Sequence, residues 1–301
     1  MSRPSAPQNA ASSDASPPAA AGGRVRHFII TRFNLRGMED NPSSAKMIDE
    51  AYLVHRLELF ERFCLPTIRS QTEQDFKWLV LFADETPEPV KARVAAYGAD
   101  WANFVPVYLP RGTGSVGPLV VGPYLDGSPQ TLVTTRLDND DGLARDFIAK
   151  VRRHAGGTDR LVLQFPMGYV WHDERIYLDR QEHNAFTTLV EPLPQGNAGV
   201  FNTIYKGSHS DIERLGRVVN VDEQPSWLQV IHGSNVENYV RGSRQRIECL
   251  QQHFTVEMPA SARHESGLEI GLDRIRTFAT STATRAARSI KYRLGLYDNV
   301  N

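Results

Sequence analysis

The sequence has few of the features that mark secreted, membrane-spanning or nucleic-acid-binding proteins. Only two cysteines, Cys64 and Cys249, occur among 301 residues, too few for a disulfide framework or a cysteine-rich zinc site. No apolar run approaches the roughly 20 residues that span a bilayer, and the first residues lack the apolar core of a signal peptide. The 34 Lys and Arg balance 35 Asp and Glu, which argues against a dedicated nucleic-acid binder. A cytoplasmic protein is therefore expected.

The chain begins with a segment that has almost no bulky apolar residue. Residues 1–24 are mostly Ala, Ser, Pro and Gly, and such a segment cannot bury enough surface to offset the entropy of ordering. We therefore predict a disordered leader over 1–24. A folded domain is expected over 25–245, followed by a C-terminal extension over 246–301.

Strand and helix patterns alternate along the first half of the folded part. Runs dense in apolar and β-branched residues predict four strands, at 25–33, 77–83, 104–108 and 131–137. Helical spacing of apolar residues predicts a helix that ends near Pro66, with one face formed by Leu53, Leu57, Phe60 and Cys64. A further helix is predicted over Leu143–His154. This alternation is typical of an α/β domain with a mainly parallel sheet flanked by helices. The shorter strand patterns of the second half predict that both halves share one continuous sheet.

A cluster of carboxylates directly after the fourth predicted strand is the sharpest chemical feature. Asp138, Asp140 and Asp141 fall within four residues, and in open α/β sheets ligands bind at the carboxyl ends of strands. Carboxylates spaced i and i+2 in a tight turn can face one Mg²⁺ or Mn²⁺ and leave positions for water and phosphate oxygens. Helix capping by Asp140 or Asp141 is the alternative, but crowded like charges repel unless a cation neutralises them. The sequence therefore predicts a divalent-cation site at this turn.

A histidine also follows an apolar strand pattern. His232 comes directly after Trp227–Ile231 and by itself is more typical of a core histidine. Beside an aspartate cluster it becomes a candidate third metal ligand, because neutral imidazole binds ions such as Mn²⁺. Asp222 and Glu223 precede it and are candidates for a general base. Solvated loop carboxylates are the alternative for both.

Several motifs in the expected order resemble family 2-type glycosyltransferases with the GT-A fold. Arg69–Thr72, Phe76–Val80 and Asp84 resemble the helix, the "Q-T" turn and the second strand that open that fold, and Thr135–Asp141 resembles its D-x-D motif. More narrowly, three segments are similar to a bacterial family labelled rhamnosyltransferases: Phe60–Pro66, Thr135–Asp141 and Trp227–Asn235. The resemblance covers residues 25–240 and does not include a clear "Q-x-x-R-W" acceptor motif.

The resemblance implies a GT-A fold in a single catalytic domain and a metal-dependent glycosyltransferase. The donor would be a nucleotide diphosphate-sugar, and the acceptor a saccharide or glycolipid in cell-surface polysaccharide synthesis. Rhamnose follows only from the family's label. Asp84 would accept from the nucleotide base, Thr31 and Arg32 would line the nucleoside pocket, and Arg136 would lie near the phosphates with Asp138. Pairing of Arg136 with an aspartate is the alternative for that residue.

The same resemblance implies how the sugar is transferred. Negative charge builds on the leaving diphosphate, and a cation held by Asp138, Asp140 and His232 would neutralise it. Asp222 or Glu223 would deprotonate the acceptor hydroxyl if the reaction inverts the anomeric centre.

Two other functions fit parts of the pattern. A nucleotidyltransferase also places Mg²⁺ on aspartates beside such a sheet, but it usually carries a Gly-rich loop with Lys or Arg directly after the first strand. Phe33–Gly37 matches such a loop poorly. A non-catalytic carbohydrate-binding protein would not need clustered aspartates that face a nucleotide pocket.

The end of the chain has a charge pattern of its own. Residues 274–297 contain six Lys and Arg and no acid, while apolar residues recur at helical spacing. A basic amphipathic helix can contact an anionic membrane surface, where lipid-linked acceptors reside. A helix packed on the catalytic domain is the alternative, and the mostly alanine apolar side favours it.

Overall fold

The computed structural model describes residues 24–35, 47–110, 112–113, 116–196, 201–206, 212–232, 240–258 and 266–273. The predicted leader, apart from Arg24, and the predicted basic helix at 274–297 lie outside these residues. None of the helices in these ranges combines the length and the apolar character that crossing a bilayer requires.

The strands and helices have the following bounds. The strands are β1 (Arg24–Arg32), β2 (Lys77–Ala83), β3 (Phe104–Leu109), β4 (Gln130–Arg136), β5 (Gly142–Leu143), β6 (Leu161–Gln164), β7 (Met167–His172), β8 (Arg175–Arg180), β9 (Thr188–Leu193), β10 (Arg217–Asn220), β11 (Trp227–Val230) and β12 (Ser243–Gln245). The helices are α1 (Glu50–Leu59), α2 (Leu65–Arg69), α3 (Glu88–Gly98), α4 (Val116–Val121), α5 (Phe147–His154) and α6 (Glu248–His253). A π-helical turn (Phe60–Cys64) joins α1 to α2.

The large sheet is mainly parallel. Its strand order is β10-β6-β9-β4-β1-β2-β3, and β9 alone runs antiparallel to its neighbours β4 and β6. Six of the seven residues of β2 are buried, because helices and loops cover both faces of a parallel sheet. The predicted α/β class, with a mainly parallel sheet flanked by helices, is confirmed.

The prediction of one continuous sheet is wrong, because part of the second half forms a separate sheet. Its strand order is β12-β8-β7-β11-β5. After the aspartate turn the chain leaves the large sheet and pairs Gly142 and Leu143 with β11. For this reason the helix predicted from Leu143 begins only at Phe147.

The predicted helix through Phe60 forms, but its predicted end is wrong. Pro66 lies in the first turn of α2, which runs on to Arg69. Before it, the Leu65 N–H donates to the Phe60 carbonyl, five residues earlier, which is the π-helical pattern.

The packed core extends beyond the predicted domain boundary at residue 245. Leu250 and Phe254, in and after α6, are buried in the same cluster as Trp171 of β7. The Arg145 N–H donates to the His253 carbonyl at 2.8 Å. Residues 246–258 are therefore part of the folded body.

A buried histidine in β1 makes the stability of this body depend on pH. His27 is buried, with Nε2 2.8 Å from Thr135 Oγ1. Burial and, secondarily, the charge of Arg152 lower its pKa from 6.5 to about 3. The His27 side chain therefore binds a proton below about pH 6.5 in the unfolded chain, but only near pH 3 in the folded chain. Unfolding is favoured across this window, by about 2–3 kcal/mol between pH 6.5 and pH 4.5.

His27→Leu should remove most of this pH dependence. Thr135 keeps its partner in the variant, because its Oγ1 also lies 2.8 Å from Thr188 Oγ1. Urea unfolding of wild type and variant at pH 7 and pH 4.5 measures the effect, with the exposed His183→Gln as control. Equal losses of stability on acidification in wild type and His27→Leu would contradict the assignment.

Candidate active site

The aspartate turn lies at the carboxyl edge of the large sheet, where β1 and β4 end side by side. The two strands pair in parallel up to Ile30 and Arg136, and the Leu137 N–H donates to the Ile30 carbonyl. The Asp141 N–H donates to the Asp138 carbonyl at 3.3 Å and closes the turn. Asn139 Nδ2 donates to the Phe33 carbonyl at 3.0 Å, so both strands hold the turn.

Asp141 fixes the turn to the second sheet. Its Oδ1 accepts from the Val230 N–H at 2.9 Å, at the end of β11. Burial raises the pKa of this carboxyl well above its usual range, and the negative charges of Asp140 and Asp138 raise it further. The capping alternative is not observed, because Asp146 occupies the N-cap position of α5.

Asp140 and His232 come together although 92 residues separate them in the sequence. His232 Nε2 lies 2.8 Å from Asp140 Oδ2. Arg56 of α1 reaches the same point, with Nη1 3.1 Å from Asp140 Oδ2 and 3.0 Å from His232 Nε2. Its Nη2 also donates to Asn139 Oδ1. All three charged or titratable side chains are nearly buried, at 11–13% exposure.

The polar atoms of this cluster cannot all be satisfied by one another. His232 Nε2 either donates to Asp140 or accepts from Arg56, because a ring nitrogen has only one such role at a time. Burial alone would raise the pKa of Asp140, but hydrogen bonds from His232 and Arg56 and their charges lower it below its usual range. Asp140 is therefore an ionised carboxylate beside the ring nitrogen of His232, and these two groups form a pair of ligands suited to a divalent cation.

Asp138 does not join this pair. Its side chain is 41% exposed, and both carboxylate oxygens lie 3.4 Å from Arg136 Nη2. In the described ranges, no group of three or more His, Cys, Asp or Glu side chains is arranged to hold a metal ion. Two of the three predicted ligands therefore converge. One carboxylate and one imidazole still fit Mg²⁺ or Mn²⁺, because waters and substrate phosphates commonly complete the coordination of such ions.

Two arginines and a tyrosine form a second polar cluster beside Asp138. The guanidinium of Arg32 lies 4.2 Å from the centre of the Tyr205 ring, and that of Arg136 lies 5.7 Å from it. The Tyr205 hydroxyl donates to the Ile30 carbonyl at 3.1 Å, and burial raises its pKa. We call these residues the arginine–tyrosine cluster. It places two positive charges at the carboxyl ends of β1 and β4.

Two other residues predicted to contact the nucleotide-sugar donor, Thr31 and Asp84, lie outside these two clusters. Thr31 is fully buried and accepts a hydrogen bond from Trp78 Nε1 at 2.9 Å. Its hydroxyl is therefore part of the core, and the prediction that it lines the nucleoside pocket needs correction. Asp84 is exposed directly after β2. The backbone before it is fixed by Asn34, which accepts from the Ala83 N–H at 3.0 Å.

Neither candidate base contacts the aspartate turn in the described part of the chain. Asp222 pairs with Arg180 at 2.7 Å, and Glu223 pairs with Arg153 at 2.7 Å. The hydrogen bond from Arg180 lowers the pKa of Asp222, which makes it a weaker base. Both carboxylates therefore form ion pairs at the protein surface, and their positions do not support the predicted role of general base.

Sequence reasoning missed Arg56, Asn139 and Tyr205. Arg56 directly precedes Leu57, so it borders the apolar face of its helix, and that position was a usable signal. Tyr205 lies on a short 3₁₀ turn, and no periodicity in the sequence points to its partners.

The fold and the site together define a class of protein. They form an α/β domain whose charged cluster lies at the carboxyl edge of a mainly parallel sheet, where such domains bind their ligands. The chain belongs to the family described as "Putative rhamnosyl transferase", whose model matches residues 27–244. The family is the one that the motifs resemble.

Comparisons with individual proteins give only distant likenesses. None of the curated proteins compared with the chain matches it. S. aureus TarS 1–349 in complex with UDP-GlcNAc is similar over 73% of this chain and 62% of that chain, at 11% identity and a TM-score of 0.40. A further structure of S. aureus TarS 1–349 is similar over 69% of this chain and 60% of that chain, at 12% identity and a TM-score of 0.39. The inositol-1-phosphate CTP transferase of T. maritima covers 73% and 94%, at 12% and 0.31. The chain spans about three fifths of the TarS fragments.

Proposed function

We propose that the protein is a metal-dependent glycosyltransferase that moves a sugar from a nucleotide diphosphate-sugar to a saccharide or glycolipid acceptor. The observation that supports this best is the contact between Asp140 and His232, 2.8 Å apart, beside the arginine–tyrosine cluster. A nearly buried anionic and imidazole pair next to two arginines suits a cation that accompanies a diphosphate. Cell-surface polysaccharide synthesis is the process we propose, and the family's description makes rhamnose the first sugar to test.

Asp140 and His232 are the residues that would hold Mg²⁺ or Mn²⁺. When bound, such an ion supplies Lewis-acid stabilisation of the charge that builds on the leaving diphosphate. Asp138 is the third predicted ligand. In the structure it pairs with Arg136 instead, so we assign it to the donor side of the site.

The arginine–tyrosine cluster would bind the donor. The guanidinium groups of Arg32 and Arg136 both lie close to one tyrosine ring, which limits the side-chain entropy they lose on binding an anion. Guanidinium groups form charge-assisted, often bidentate hydrogen bonds with phosphate oxygens. Asp84, exposed at the end of β2, would accept from the base.

Product analysis tests this function against its rivals. The protein is incubated with Mn²⁺, saccharide acceptors and labelled UDP-, TDP- and GDP-sugars, nucleotide-activated rhamnose included. Release of the nucleoside diphosphate together with a labelled glycan supports the proposal. Formation of a nucleoside triphosphate and a sugar phosphate on addition of pyrophosphate would instead identify a nucleotidyltransferase. Binding of a glycan without any turnover or nucleotide binding would identify a carbohydrate-binding protein.

Arg136→Gln is expected to weaken binding of the donor's nucleoside diphosphate about 10- to 100-fold, because it removes one charge-assisted contact to phosphate. Isothermal titration calorimetry with UDP, TDP and GDP in the presence of Mn²⁺ measures the affinity. Arg217→Gln is the matched control, because Arg217 forms an exposed ion pair with Asp159. Equal affinities of Arg136→Gln and wild type would show that Arg136 serves only to pair with Asp138.

Membrane contact by the C-terminal segment is part of the same proposal for a glycolipid acceptor. The predicted basic helix at 274–297 lies outside the described residues. The short helix before it, at 267–273, exposes Leu268 and Leu272, four residues apart on one side. Co-sedimentation with anionic vesicles, compared with neutral vesicles, tests the contact.

A further inference from the structure

The positively charged guanidinium of Arg56 contacts the two side chains that would bind the cation. Its Nη1 lies 3.1 Å from Asp140 Oδ2 and 3.0 Å from His232 Nε2. Its Nη2 donates to Asn139, which lies between Asp138 and Asp140 in the turn. The guanidinium thus contacts three side chains at once, in a place almost closed to solvent. This arrangement extends over helix α1, the aspartate turn and the end of β11.

A guanidinium in this place is incompatible with a divalent cation on the same two atoms. Both would require the electrons of Asp140 Oδ2, and the two positive charges would lie within a few ångströms of each other. Water screens this repulsion poorly in a nearly buried site. The 3.0 Å contact with His232 also uses the ring nitrogen that a cation would need as a ligand.

The charge of a diphosphate changes this balance. An anion beside the cluster can accept hydrogen bonds from Arg56 and can also ligate the cation. Without that anion, the one carboxylate charge beside His232 is that of Asp140, and it is already paired with Arg56. A cation therefore gains little by displacing Arg56. Cation binding and donor binding are then linked, so that each increases the affinity for the other.

We infer that Arg56 is a positioning residue that competes with the divalent cation for Asp140 and His232, and that it thereby makes cation binding depend on the nucleotide diphosphate. This inference rests on the proposed function, since it takes Asp140 and His232 as the cation's ligands. The consequence is a site that stays closed by its own arginine until the donor arrives.

Mn²⁺ titrations followed by electron paramagnetic resonance test the inference without measuring activity. They are done alone and with the nucleoside diphosphate, of UDP, TDP and GDP, that binds wild type best. Arg56→Met is expected to bind Mn²⁺ alone about tenfold more tightly than wild type. The factor by which the nucleotide tightens Mn²⁺ binding should fall by the same amount. Arg56→Lys, which keeps the charge, should resemble wild type, as should Arg69→Met, in which an exposed arginine of α2 is lost.

An Arg56→Met variant that binds Mn²⁺ no more tightly than wild type would overturn the inference. So would loss of nucleotide affinity in that variant without any gain in Mn²⁺ affinity, because Arg56 would then replace the cation rather than compete with it. Thermal unfolding provides a second readout for a less stable variant. The rise in Tm on adding Mn²⁺ should be larger for Arg56→Met than for wild type, and equal rises would also overturn the inference.

Asp140→Asn separates failure of this inference from failure of the proposed function. If Mn²⁺ binding with nucleotide is present in wild type and lost in Asp140→Asn, the proposed cation site is supported. A missing effect of Arg56→Met would then count against Arg56 alone. If Asp140→Asn binds Mn²⁺ as wild type does, the proposed site itself is wrong and the inference falls with it.

Discussion

Asp140→Asn is expected to lower the kcat of sugar transfer about 100- to 1,000-fold, because it removes the one carboxylate charge that neutralises the cluster. The substitution keeps the size of the side chain and one oxygen acceptor, so the contact with His232 at 2.8 Å can persist in a weaker form. Steady-state release of nucleoside diphosphate from the best sugar nucleotide measures the loss. Under the proposed function the loss appears at saturating donor as well as in kcat/KM.

Asp159→Asn is the control for charge removal as such. Asp159 is exposed and pairs with Arg217 at 3.6 Å, away from the aspartate turn, so its variant should keep the wild-type rate. Far-ultraviolet circular dichroism and Tm values establish that both variants are folded. An Asp140→Asn enzyme within about tenfold of wild type would rule out a central role for this carboxylate.

Gly168→Ala should destabilise the fold by about 3 kcal/mol or more, at the upper end of what overpacking costs. A Cβ at Gly168 would lie 2.0–2.3 Å from three ring atoms of Trp227. Trp227 cannot yield easily, because its Nε1 donates to the Phe165 carbonyl at 2.7 Å and its ring stacks on Phe186. Strand β11 would have to move, and with it the Val230 N–H and His232.

Urea unfolding measures the destabilisation, with Gly271→Ala as the matched control. Gly271 lies in the helix at 267–273, and an added Cβ there meets no atom within 4 Å. The control should be neutral or slightly stabilising, since alanine favours helices. A Gly168→Ala protein as stable as wild type would mean that β7 and β11 can separate without loss of packing. Reduced nucleotide-dependent Mn²⁺ binding by the destabilised variant would connect this pair of strands to the site.

The sequence predicted the large sheet and the aspartate turn for the same physical reason. The run over 78–83 in β2 is apolar throughout because both faces of a parallel sheet are covered, and a polar cluster after such a run falls at the carboxyl edge. The position of Asp140 could therefore be inferred from local pattern alone. His232 was found by the same rule, applied to β11.

The rest of the site depends on contacts that no local pattern contains. Arg56 reaches Asp140 across 84 residues of sequence, and helical spacing says only which face of α1 is apolar. The second sheet was missed because β7 contains Gly168, which leaves room for the Trp227 ring. A glycine weakens the strand pattern of the segment that contains it. Thr31 was assigned to the pocket because it lies near a strand end, but the alternation of a strand sends its side chain to the core face with Ile29.

The π-helical turn sets how α1 is rotated relative to α2. Phe60–Cys64 place one more residue in this turn than an α-helix would. If the same residues were wound as a regular α-helix, everything before them would rotate by about 100° relative to α2. Arg56 would then face away from Asp140, while the apolar residues of α2 stayed in place. The widened turn therefore fixes the rotation of α1 at which the Arg56 guanidinium reaches the site.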